Sequence, residues 1–493
     1  MAPVSRRRFL EESLLIAAAA GTLPGAALAA SAAEPKPARP LGSKKALRIA
    51  VVGLRGRGRG HIGTYKNIDG AEVVALVDPE SDEAIVKTAQ RSAPNARYVR
   101  DLREVLEADD IDAVSIATPN HWHALGATWA LRAGKHVYVE KPLTHSLREG
   151  DEVVRAAAET GLVCQHGTQA RSYSATREAI AWLRSGALGR VHTARGLCYK
   201  RRHSIGKVDS DQPIPKSLDY DLWTGPARME PLRRKNLHYD WHWVYNTGDG
   251  DIGNQGVHQM DLARWGLGAN GFPTAIQSVG GRLGYDDDGN TANTQVSSYT
   301  FGDARAIFEV RGLETPHAPK ARGGVGVVWI AEEGYLVSVS YNNLIAFDKD
   351  GNELRRFTGG DDNQHFRNWV EAALAEDPSM LNAQPIEGHR SSGMCQLGNL
   401  SYRLGAEQGL GKRRPLSATD APFGEGEDPG NEAFGRMRKH LAANGVEGDA
   451  PYVTGPVLHF DPSTERFHGD HAAAAEELAA GYHREGYTFD AVG

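Results

Sequence analysis

The stretch Ser115–Pro142, SIATPNHWHALGATWALRAGKHVYVEKP, carries the pattern of a strand, a helix and a second strand. The first strand, Ala113 to Ala117, is apolar and stops at Thr118-Pro119-Asn120; the second, His136 to Val139, ends in Glu140-Lys141-Pro142. One short crossover makes this a βαβ unit with parallel strands. Because ligands collect outside the carboxyl ends of parallel strands, we expect Asn120, Glu140 and Lys141 to face one crevice.

Two motifs in this stretch, TPN-x-x-H (Thr118 to His123) and AGKHV-x-x-EKP (Ala133 to Pro142), resemble those of the Gfo/Idh/MocA oxidoreductases, relatives of glucose–fructose oxidoreductase and inositol dehydrogenase. The resemblance extends from about Leu47 to about Leu404. It implies an α/β Rossmann-type doubly wound nucleotide-binding domain and an α+β domain with an open, mostly antiparallel sheet. It also implies a nicotinamide-dependent oxidoreductase that acts on a hydroxyl of a sugar, polyol or glycoside.

Length and composition limit the classes of protein that fit. A chain of 493 residues is too long for one core and predicts at least two domains. The net charge of −6 argues against nucleic acid or an anionic membrane as a partner. The three cysteines, Cys164, Cys198 and Cys395, lack metal-ligand spacing and are expected to be buried thiols.

The amino terminus, residues 1–33, matches a twin-arginine signal peptide. Ser5-Arg6-Arg7-Arg8-Phe9-Leu10 precedes an apolar run, and Ala27-Leu28-Ala29 offers a cleavage site. A basic tail or a membrane anchor is the alternative, but the apolar run is too short and alanine-rich for a stable membrane span. We therefore expect a periplasmic or secreted protein, a linker at residues 34–45, and a nucleotide that is tightly bound and recycled in place.

A glycine-rich loop follows the strand Leu47 to Val52 and predicts a modified dinucleotide fingerprint. Gly53 and Gly58 take the first and third glycine positions, Arg55 replaces the second, and Gly56 is the candidate for close approach to a pyrophosphate. Asp78 ends the next strand, where a carboxylate binds the adenosine ribose and favours NAD over NADP. The loop arginines leave NADP open, and a flexible turn is the alternative reading of the loop.

The nucleotide domain, residues 46–170, gives way to a domain of long strands, residues 171–414. Short turns between consecutive strands predict an antiparallel sheet. The predicted strands are Val191 to Cys198, Thr274 to Gly284, Gln295 to Phe301, Ala304 to Arg311, Val325 to Ala331, Gly334 to Ser340 and Leu344 to Asp348. An uncovered apolar sheet face needs a partner surface, so we expect a homo-oligomer, a dimer or tetramer.

Helices Asn363 to Ala375 and Ser392 to Leu404 are expected to return to the nucleotide domain. The extension, residues 415–493, predicts helices at Asn431 to Ala443 and His471 to Gly481, with Asp470 as the N-cap of the second. The sequence does not decide whether this extension covers the sheet or clasps a neighbouring subunit.

Asn254, His258 and Asp261 share one helical face if the turn is regular from Asn254. The family resemblance implies D-x-x-x-H-x-x-D here, with the first carboxylate and the histidine binding or deprotonating a substrate alcohol. Asn254 replaces that carboxylate, so the role of base moves to His258 or Lys141. Lys141 acts as a base if burial lowers its pKa, or stays charged and polarises an alkoxide. Asp261 either orients His258 or contacts substrate, and a core histidine is the alternative for His258.

The segment after Asp240 supplies candidate sugar contacts. Trp241, Trp243 and Tyr245 are expected to stack on a sugar ring, and His242 to bind its hydroxyls, although an ordinary aromatic core gives the same pattern. Asn120 and His123 are expected to hold the nicotinamide ribose region, unless Asn120 only caps the following helix. His238-x-x-x-His242 has metal-ligand spacing but lacks a carboxylate partner, so we expect no metal.

Three functions fit these residues. The first is an exported oxidoreductase with a bound, recycled nicotinamide. The second is an NAD-dependent glycosidase or lyase that oxidises a sugar transiently at C3, eliminates the glycosidic group and reduces the ketone again. The third is a non-catalytic carbohydrate-binding protein on the same fold, which the replacements Arg55 and Asn254 favour.

Overall fold

The computed structural model describes residues 46–315, 324–426 and 428–491. The predicted signal peptide, residues 1–33, and the linker, residues 34–45, lie outside these described residues. Within the described ranges, no helix has the length and apolar character needed to cross a membrane. The predicted strand Leu47–Val52 is the first element of the described chain.

Six short strands rich in Val, Ile and Ala form a parallel sheet in the order β3-β2-β1-β4-β5-β6. The strands are β1 (Leu47–Val52), β2 (Ala71–Val77), β3 (Arg97–Val99), β4 (Ala113–Ile116), β5 (His136–Val139) and β6 (Cys164–His166). Each neighbouring pair is parallel. The strand order reverses between β1 and β4, which confirms the doubly wound prediction and creates a crevice at the carboxyl ends of these strands.

Helices cover both faces of this sheet. They are α1 (Gly56–Tyr65), α2 (Glu83–Gln90), α3 (Leu102–Leu106), α4 (His123–Arg132) and α5 (Glu149–Thr160). Trp129 of α4 is buried with Val114 on one face, and Tyr65 of α1 is buried with Val51 on the other. The later helix α11 (Asp362–Ala375) adds Trp369 to the second face, so it returns to the nucleotide domain as predicted.

A second sheet follows, in the order β14-β13-β12-β11-β7-β10-β9-β8-β16-β15, with β17 on β8 and β18 on β17. Its strands are β7 (Val191–Cys198), β8 (Ala275–Gly281), β9 (Thr294–Phe301), β10 (Ala304–Arg311), β11 (Val325–Ala331), β12 (Gly334–Ser340), β13 (Asn343–Asp348), β14 (Glu353–Thr358), β15 (Lys412–Pro415), β16 (Pro451–Thr454), β17 (Leu458–Asp461) and β18 (Arg466–His468). The β7–β10 pair is parallel and the other pairs are antiparallel. The mostly antiparallel sheet is therefore confirmed, and strands of the extension lengthen it.

The remaining helices are α6 (Ser174–Arg184), α7 (Tyr220–Thr224), α8 (Leu237–Asp240), α9 (Gly250–Asn254), α10 (Gly256–Leu267), α12 (Pro385–Ala406), α13 (Pro429–Ala443) and α14 (Ala472–Ala480). On the inner face of the second sheet, Trp329 is buried with Leu262 of α10. On the outer face, Phe434 of α13 is buried with Val296 and Ile307. The extension thus covers part of the sheet, a question that the sequence left open.

Two local predictions need correction. Helix α12 begins at Pro385 rather than Ser392, because the glycines and serines of its first turns do not show an amphipathic pattern. The predicted N-cap Asp470 is wrong: α14 begins at Ala472, His471 takes the N-cap position, and no side chain caps the helix. The N–H of Ala472 instead donates to the carbonyl of Gly469, so a backbone turn precedes the helix.

Candidate functional site

A cavity of about 650 Å³ opens at the carboxyl ends of β1, β2, β4 and β5 and extends to the start of α10. Most of the predicted site residues line it. They are Gly53, Arg55, Gly56, Asp78, Thr118, Pro119, Asn120, His123, Glu140, Lys141, Trp241, His242, Asn254 and His258. The structure therefore brings together residues separated by about 200 positions in the chain, at the crevice that the strand order requires.

The glycine-rich loop joins β1 to α1 beneath this cavity. Gly53 has a φ of +86°, and a Cβ on it would lie 2.7 Å from the carbonyl oxygen of Ala117. A Cβ on Gly58 would lie 1.6 Å from the carbonyl oxygen of Gly53, so Gly58 lets the helix and strand pack closely rather than lining the cavity. Gly56 lines the cavity, and a Cβ on it would meet no atom within 4 Å. The open space beside the loop is thus at Gly56.

The amino terminus of α1 faces the same space. Arg55 occupies the N-cap position and no side chain caps the helix. The backbone N–H groups of the first turn are therefore oriented as in sites where helix N-termini bind phosphate groups. The side chain of Arg55 lies 3.8 Å from Glu80, at the rim of the cavity.

Asp78 closes the end of the cavity at β2. Its carboxylate accepts hydrogen bonds from the backbone N–H groups of Leu54 at 2.7 Å and Glu80 at 2.9 Å. Burial is the main cause of its raised pKa. A carboxylate has about four acceptor positions, so two are left for ribose hydroxyls. The open space at Gly56, the uncapped amino terminus of α1 and the carboxylate of Asp78 together form a site that fits a dinucleotide.

Glu140 is the centre of a buried polar network below the cavity. It accepts hydrogen bonds from Arg57 at 2.6 Å and Gln169 at 3.0 Å, and it lies 3.1 Å from Nε2 of His61. Burial alone would raise the pKa of Glu140, but Arg57 and His61 outweigh it and hold that pKa well below its usual range. The charged carboxylate therefore ties the first turn of α1 to the end of β5 and fixes the backbone next to Lys141.

Lys141 extends from the end of β5 to the start of α10. Its Nζ donates to the backbone carbonyl of Asn254 at 2.5 Å and to Oδ1 of Asn254 at 3.2 Å. Burial lowers the pKa of Lys141 to about 8; the charge of Glu140 opposes this, and Arg57 and Arg202 add to it. Because Asn254 is uncharged, the ammonium form gains less stabilisation than it would beside an aspartate. The amine is thus placed to exchange a proton near neutral pH.

His258 lies on the first turn of α10, across the cavity from the nucleotide loop. Its Nδ1 is buried without a hydrogen-bond partner in the described structure, and its ring centre lies 5.5 Å from that of Tyr341. Burial, followed by the charge of Lys141, lowers the pKa of His258 to about 3. His258 is therefore neutral over the physiological range and can exchange hydrogen bonds with a hydroxyl group.

Besides Gly58, three residues with predicted contacts do not line this cavity: Asp261, Trp243 and Tyr245. Asp261 is buried where its carboxylate accepts from Arg171 at 2.8 Å and Ser391 at 2.7 Å, so it neither orients His258 nor contacts a ligand there. A break at Gln255 places Asn254 on α9 and both His258 and Asp261 on α10, so the three residues do not lie on one continuous helix as predicted. Tyr245 lines a different cavity, described below.

His123 lines the cavity, but both of its ring nitrogens face backbone carbonyls. Nδ1 lies 2.5 Å from the oxygen of Pro142 and Nε2 lies 2.9 Å from that of Thr118. These contacts join the loop after β4 to the loop after β5. The imidazole therefore shapes the cavity wall, and the predicted contact with a ribose is not supported by its orientation.

Trp241 and His242 form a flat surface at the other wall. Their rings stack with centroids 3.6 Å apart and an interplanar angle of 19°. Nδ1 of His242 lies 2.6 Å from the carbonyl of Tyr239, and burial lowers the pKa of this histidine to about 3. Stacked neutral rings are a suitable surface for the apolar face of a sugar ring.

Several cavity residues were not predicted from the sequence. Tyr341 lies in the turn between β12 and β13, and its hydroxyl accepts from Gln259 at 2.8 Å. Arg57 and Gln169 line the cavity and donate hydrogen bonds to Glu140, and Lys200 lies at the rim. The position of Arg57 in the glycine-rich loop was a signal that could have predicted its role, but turn residues such as Tyr341 carry no sequence signal of their own.

One group of potential metal ligands occurs among the described residues, and it lies outside the cavity. Asp151, His389 and Glu465 place their ligand atoms within 4.8 Å of one another. Burial would lower the pKa of His389, but Asp151 and Glu465 outweigh it and raise that pKa. A protonated histidine between two carboxylates accounts for the arrangement and ties α12 to α5 and to the β17–β18 hairpin.

Two family models match the chain. Residues 47–168 match an oxidoreductase family with an NAD-binding Rossmann fold, and residues 183–311 match the C-terminal alpha/beta domain of the same family, Gfo/Idh/MocA. Together the matched segments make up just over half of the chain. The chain belongs to the Gfo/Idh/MocA oxidoreductase family. The glycine-rich loop, Asp78 and Lys141, which line the cavity, lie within the segment that the NAD-binding model matches, and the match confirms the resemblance of the two motifs.

Relatives in the Gfo/Idh/MocA family include enzymes with sugar substrates. The chain is 30% identical to the 2,7-anhydro-N-acetylneuraminate hydratase of Mediterraneibacter gnavus, over 53% of this chain and 62% of that protein. It is 26% identical to the levoglucosan dehydrogenase of Pseudarthrobacter phenanthrenivorans, over 57% of this chain and 63% of that protein. It thus spans less than two thirds of either relative.

A solved structure shows the same fold. The complex of a levoglucosan dehydrogenase with NADH and levoglucosan superposes with a TM-score of 0.55 at 18% identity. The match covers 72% of this chain and 97% of that one. The superposition shows that the two proteins share a fold.

Proposed function

We propose that this protein is an NAD-dependent oxidoreductase that acts on a hydroxyl of a sugar, polyol or glycoside. The observation that carries the proposal is the convergence of Lys141 and His258 on one cavity whose other end has the open glycine loop and Asp78. The family match and the sugar-modifying relatives support it. Asp78 supports NAD over NADP, because its charge repels a 2′-phosphate.

The chain's own residues divide the reaction between them. When bound, the nicotinamide supplies the acceptor for the hydride that leaves the carbinol carbon. The neutral amine of Lys141 takes the hydroxyl proton, because its pKa of about 8 is close to the working pH. Neutral His258 hydrogen-bonds the same oxygen, and Asn254 holds the amine through its carbonyl oxygens. Trp241 and His242 pack against the sugar ring and exclude water.

We also propose that the protein is exported and that it retains its nucleotide. The twin-arginine pattern at Arg6 and Arg7 supports folding before export to the periplasm or the medium. A free nicotinamide pool is not expected there, so the nucleotide is tightly bound and restored by a second half-reaction at the same site. Mass spectrometry of periplasmic protein, with Arg6→Lys and Arg7→Lys as the export-blocked control, tests this location.

The second candidate is a glycosidase or lyase that uses transient oxidation at C3. The relationship to a hydratase of an anhydro sugar favours it. Here Lys141, after passing the hydroxyl proton to solvent, would take the proton from the carbon next to the ketone, and the glycosidic group would leave as an alcohol after taking a proton from solvent. Steady NADH formation without release of an aglycone would exclude this candidate.

One experiment separates these functions. Protein purified without added nucleotide is analysed by native mass spectrometry, and then offered sugars, polyols and aryl glycosides. We expect a bound nicotinamide nucleotide, its reduction by at least one substrate, and retained nucleotide but lost turnover in Lys141→Met. Absence of bound nucleotide, with no binding on titration, would leave the non-catalytic carbohydrate-binding protein as the explanation.

A homo-oligomer is proposed from the outer face of the second sheet. Ile307, Val328 and Val337 are neighbours in register and lie on the same face of the sheet. Helix α13 covers Ile307, but strands β11 to β13 lie beyond this helix. Val328, Tyr335 and Phe347 are partly exposed there around a buried apolar cluster. Sedimentation of the wild type and of Val328→Glu tests this surface: a monomeric wild type would contradict the proposal.

A further inference from the structure

A second cavity, of about 490 Å³, lies on the far side of Asn120 from the nucleotide loop. Its walls come from the loop before α5, from α12, and from the segment at the end of α14, which belongs to the extension. Asn120 lines the first cavity, and its Nδ2 donates to Asp249 in the wall of the second at 3.0 Å. One hydrogen bond thus separates the two spaces.

Asp249 is the main polar group of this second cavity. The residue is 4% exposed, and Oδ2 is held by Asn120. Oδ1 lies 4.0 Å from Nε2 of His145, beyond hydrogen-bond distance. Burial raises the pKa of Asp249 to about 6. A buried carboxylate oxygen that lacks a close partner and lines a cavity is oriented towards whatever fills that cavity.

An amide oxygen adds to the acceptors of this wall. Asn399 donates to the backbone carbonyl of Asp249 at 2.9 Å, and its Oδ1 receives only a long contact of 3.4 Å from the hydroxyl of Tyr245. Gln396 also lines the cavity, but its Nε2 donates to the carbonyl of Thr144 at 2.7 Å and its Oε1 is fully buried. The donor of Asn399 is thus engaged, and its acceptor is available to a ligand.

The arginines of this cavity are already engaged. Arg403 donates to Glu407 at 2.9 Å and lies 4.5 Å above the ring of Tyr245. Arg228 lies 3.9 Å above the ring of Tyr482 in the extension. Glu230, Glu407 and Glu477 line the cavity together with Asp249, so an anionic ligand would face an excess of carboxylates, whereas a ligand rich in hydroxyl groups would donate to the available acceptors.

We propose that this cavity is a second binding site, specific for a neutral polyhydroxylated ligand such as a saccharide or polyol. Hydroxyl groups donate to Asp249 and to Oδ1 of Asn399, and the ring of Tyr245 packs against the ligand's C–H surface. The site is independent of the proposed redox reaction, since these acceptors line the second cavity and not the first. The extension supplies part of its wall, which gives residues beyond 415 a functional role.

The test uses isothermal titration of the full chain with D-glucose, myo-inositol and sorbitol. His145→Trp fills the cavity, and His203→Trp makes the same change at an exposed position outside both cavities. Lys141→Met alters only the first cavity. We expect binding of at least one of the three probes, weakened about tenfold or more by His145→Trp and unchanged within about twofold by the other two variants.

Asp249→Asn keeps the shape of the side chain and provides a second variant in case His145→Trp unfolds, which thermal unfolding would reveal. We expect it to weaken binding severalfold, because a charge-assisted hydrogen bond becomes a neutral one. Two results would overturn the proposal: no binding of any probe to the wild type, or binding that Lys141→Met abolishes while His145→Trp leaves it intact. The turnover of Lys141→Met tests the redox proposal separately.

Discussion

Asn254→Asp tests whether the missing carboxylate sets the protonation state of Lys141. The pKa of Lys141 is about 8, so about one tenth of the amine is neutral at pH 7. Aspartate would place a negative charge where Oδ1 lies 3.2 Å from Nζ. An opposite charge this close raises a lysine pKa by about one to three pH units, so the neutral fraction at pH 7 falls about 10- to 1,000-fold. If Lys141 is the base, kcat/KM at pH 7 falls by the same factor and recovers as the pH rises.

The assay is the pH dependence of kcat/KM with a substrate found in the sugar panel, followed by the absorbance of the reduced nicotinamide. Acetylation of Lys141 by acetic anhydride as a function of pH, measured on its peptide, reports the same pKa without substrate. Asn95→Asp adds an equal charge at an exposed position and is the matched control. An unmoved pH profile would show that Lys141 is not the base, and a rise in kcat/KM at pH 7 would show that the new carboxylate is the better base.

Three further results are expected. Asp78→Ala should improve binding of NADP relative to NAD by about tenfold in paired titrations, because the repulsion of a 2′-phosphate is removed; an unchanged ratio would contradict the role of Asp78. His389→Gln should destabilise the protein below pH 6.5, where the raised pKa of His389 contributes fully, and the difference should vanish as pH rises through that folded-state pKa; equal urea midpoints in acid and alkali would count against this. Phe434→Ala should lower the free energy of unfolding by about 3–5 kcal/mol in urea titrations, since its ring is buried against the sheet, and a loss below about 1 kcal/mol would show that α13 is not part of the cooperative fold.

The architecture of the nucleotide domain was predictable because apolar strands, helix-ending glycines and strand-end polar residues are local signals. Gly53 and Gly58 show why their spacing matters: each accommodates a backbone oxygen that a Cβ would meet. The position of Lys141 followed from the strand-end rule alone. These features depend on backbone geometry, which the sequence pattern reports directly.

The remainder of the site depends on contacts between distant segments. Asp261 shares a sequence motif and the helix α10 with His258, but its carboxylate pairs with Arg171, a residue about 90 positions away that no local pattern connects to it. Tyr341 reaches the cavity from a hairpin turn of the second sheet, and no pattern around it marks that position. The extension looked like two helices, yet it also contributes strands to the sheet edge, since edge pairing depends on which strand is left uncovered.

The proposed activity requires that the space at Gly56, Lys141 and His258 holds a nicotinamide nucleotide. The decisive measurement is a fluorescence titration of NADH into protein stripped of nucleotide, with Gly56→Ala and, as a control, Gly302→Ala, where φ is also positive and a Cβ also meets no atom but lies outside the cavity. We expect saturable binding by the wild type and by Gly302→Ala, and binding at least about tenfold weaker in Gly56→Ala. A wild type that does not bind NADH, or a Gly56→Ala variant that binds it equally well, would contradict the account.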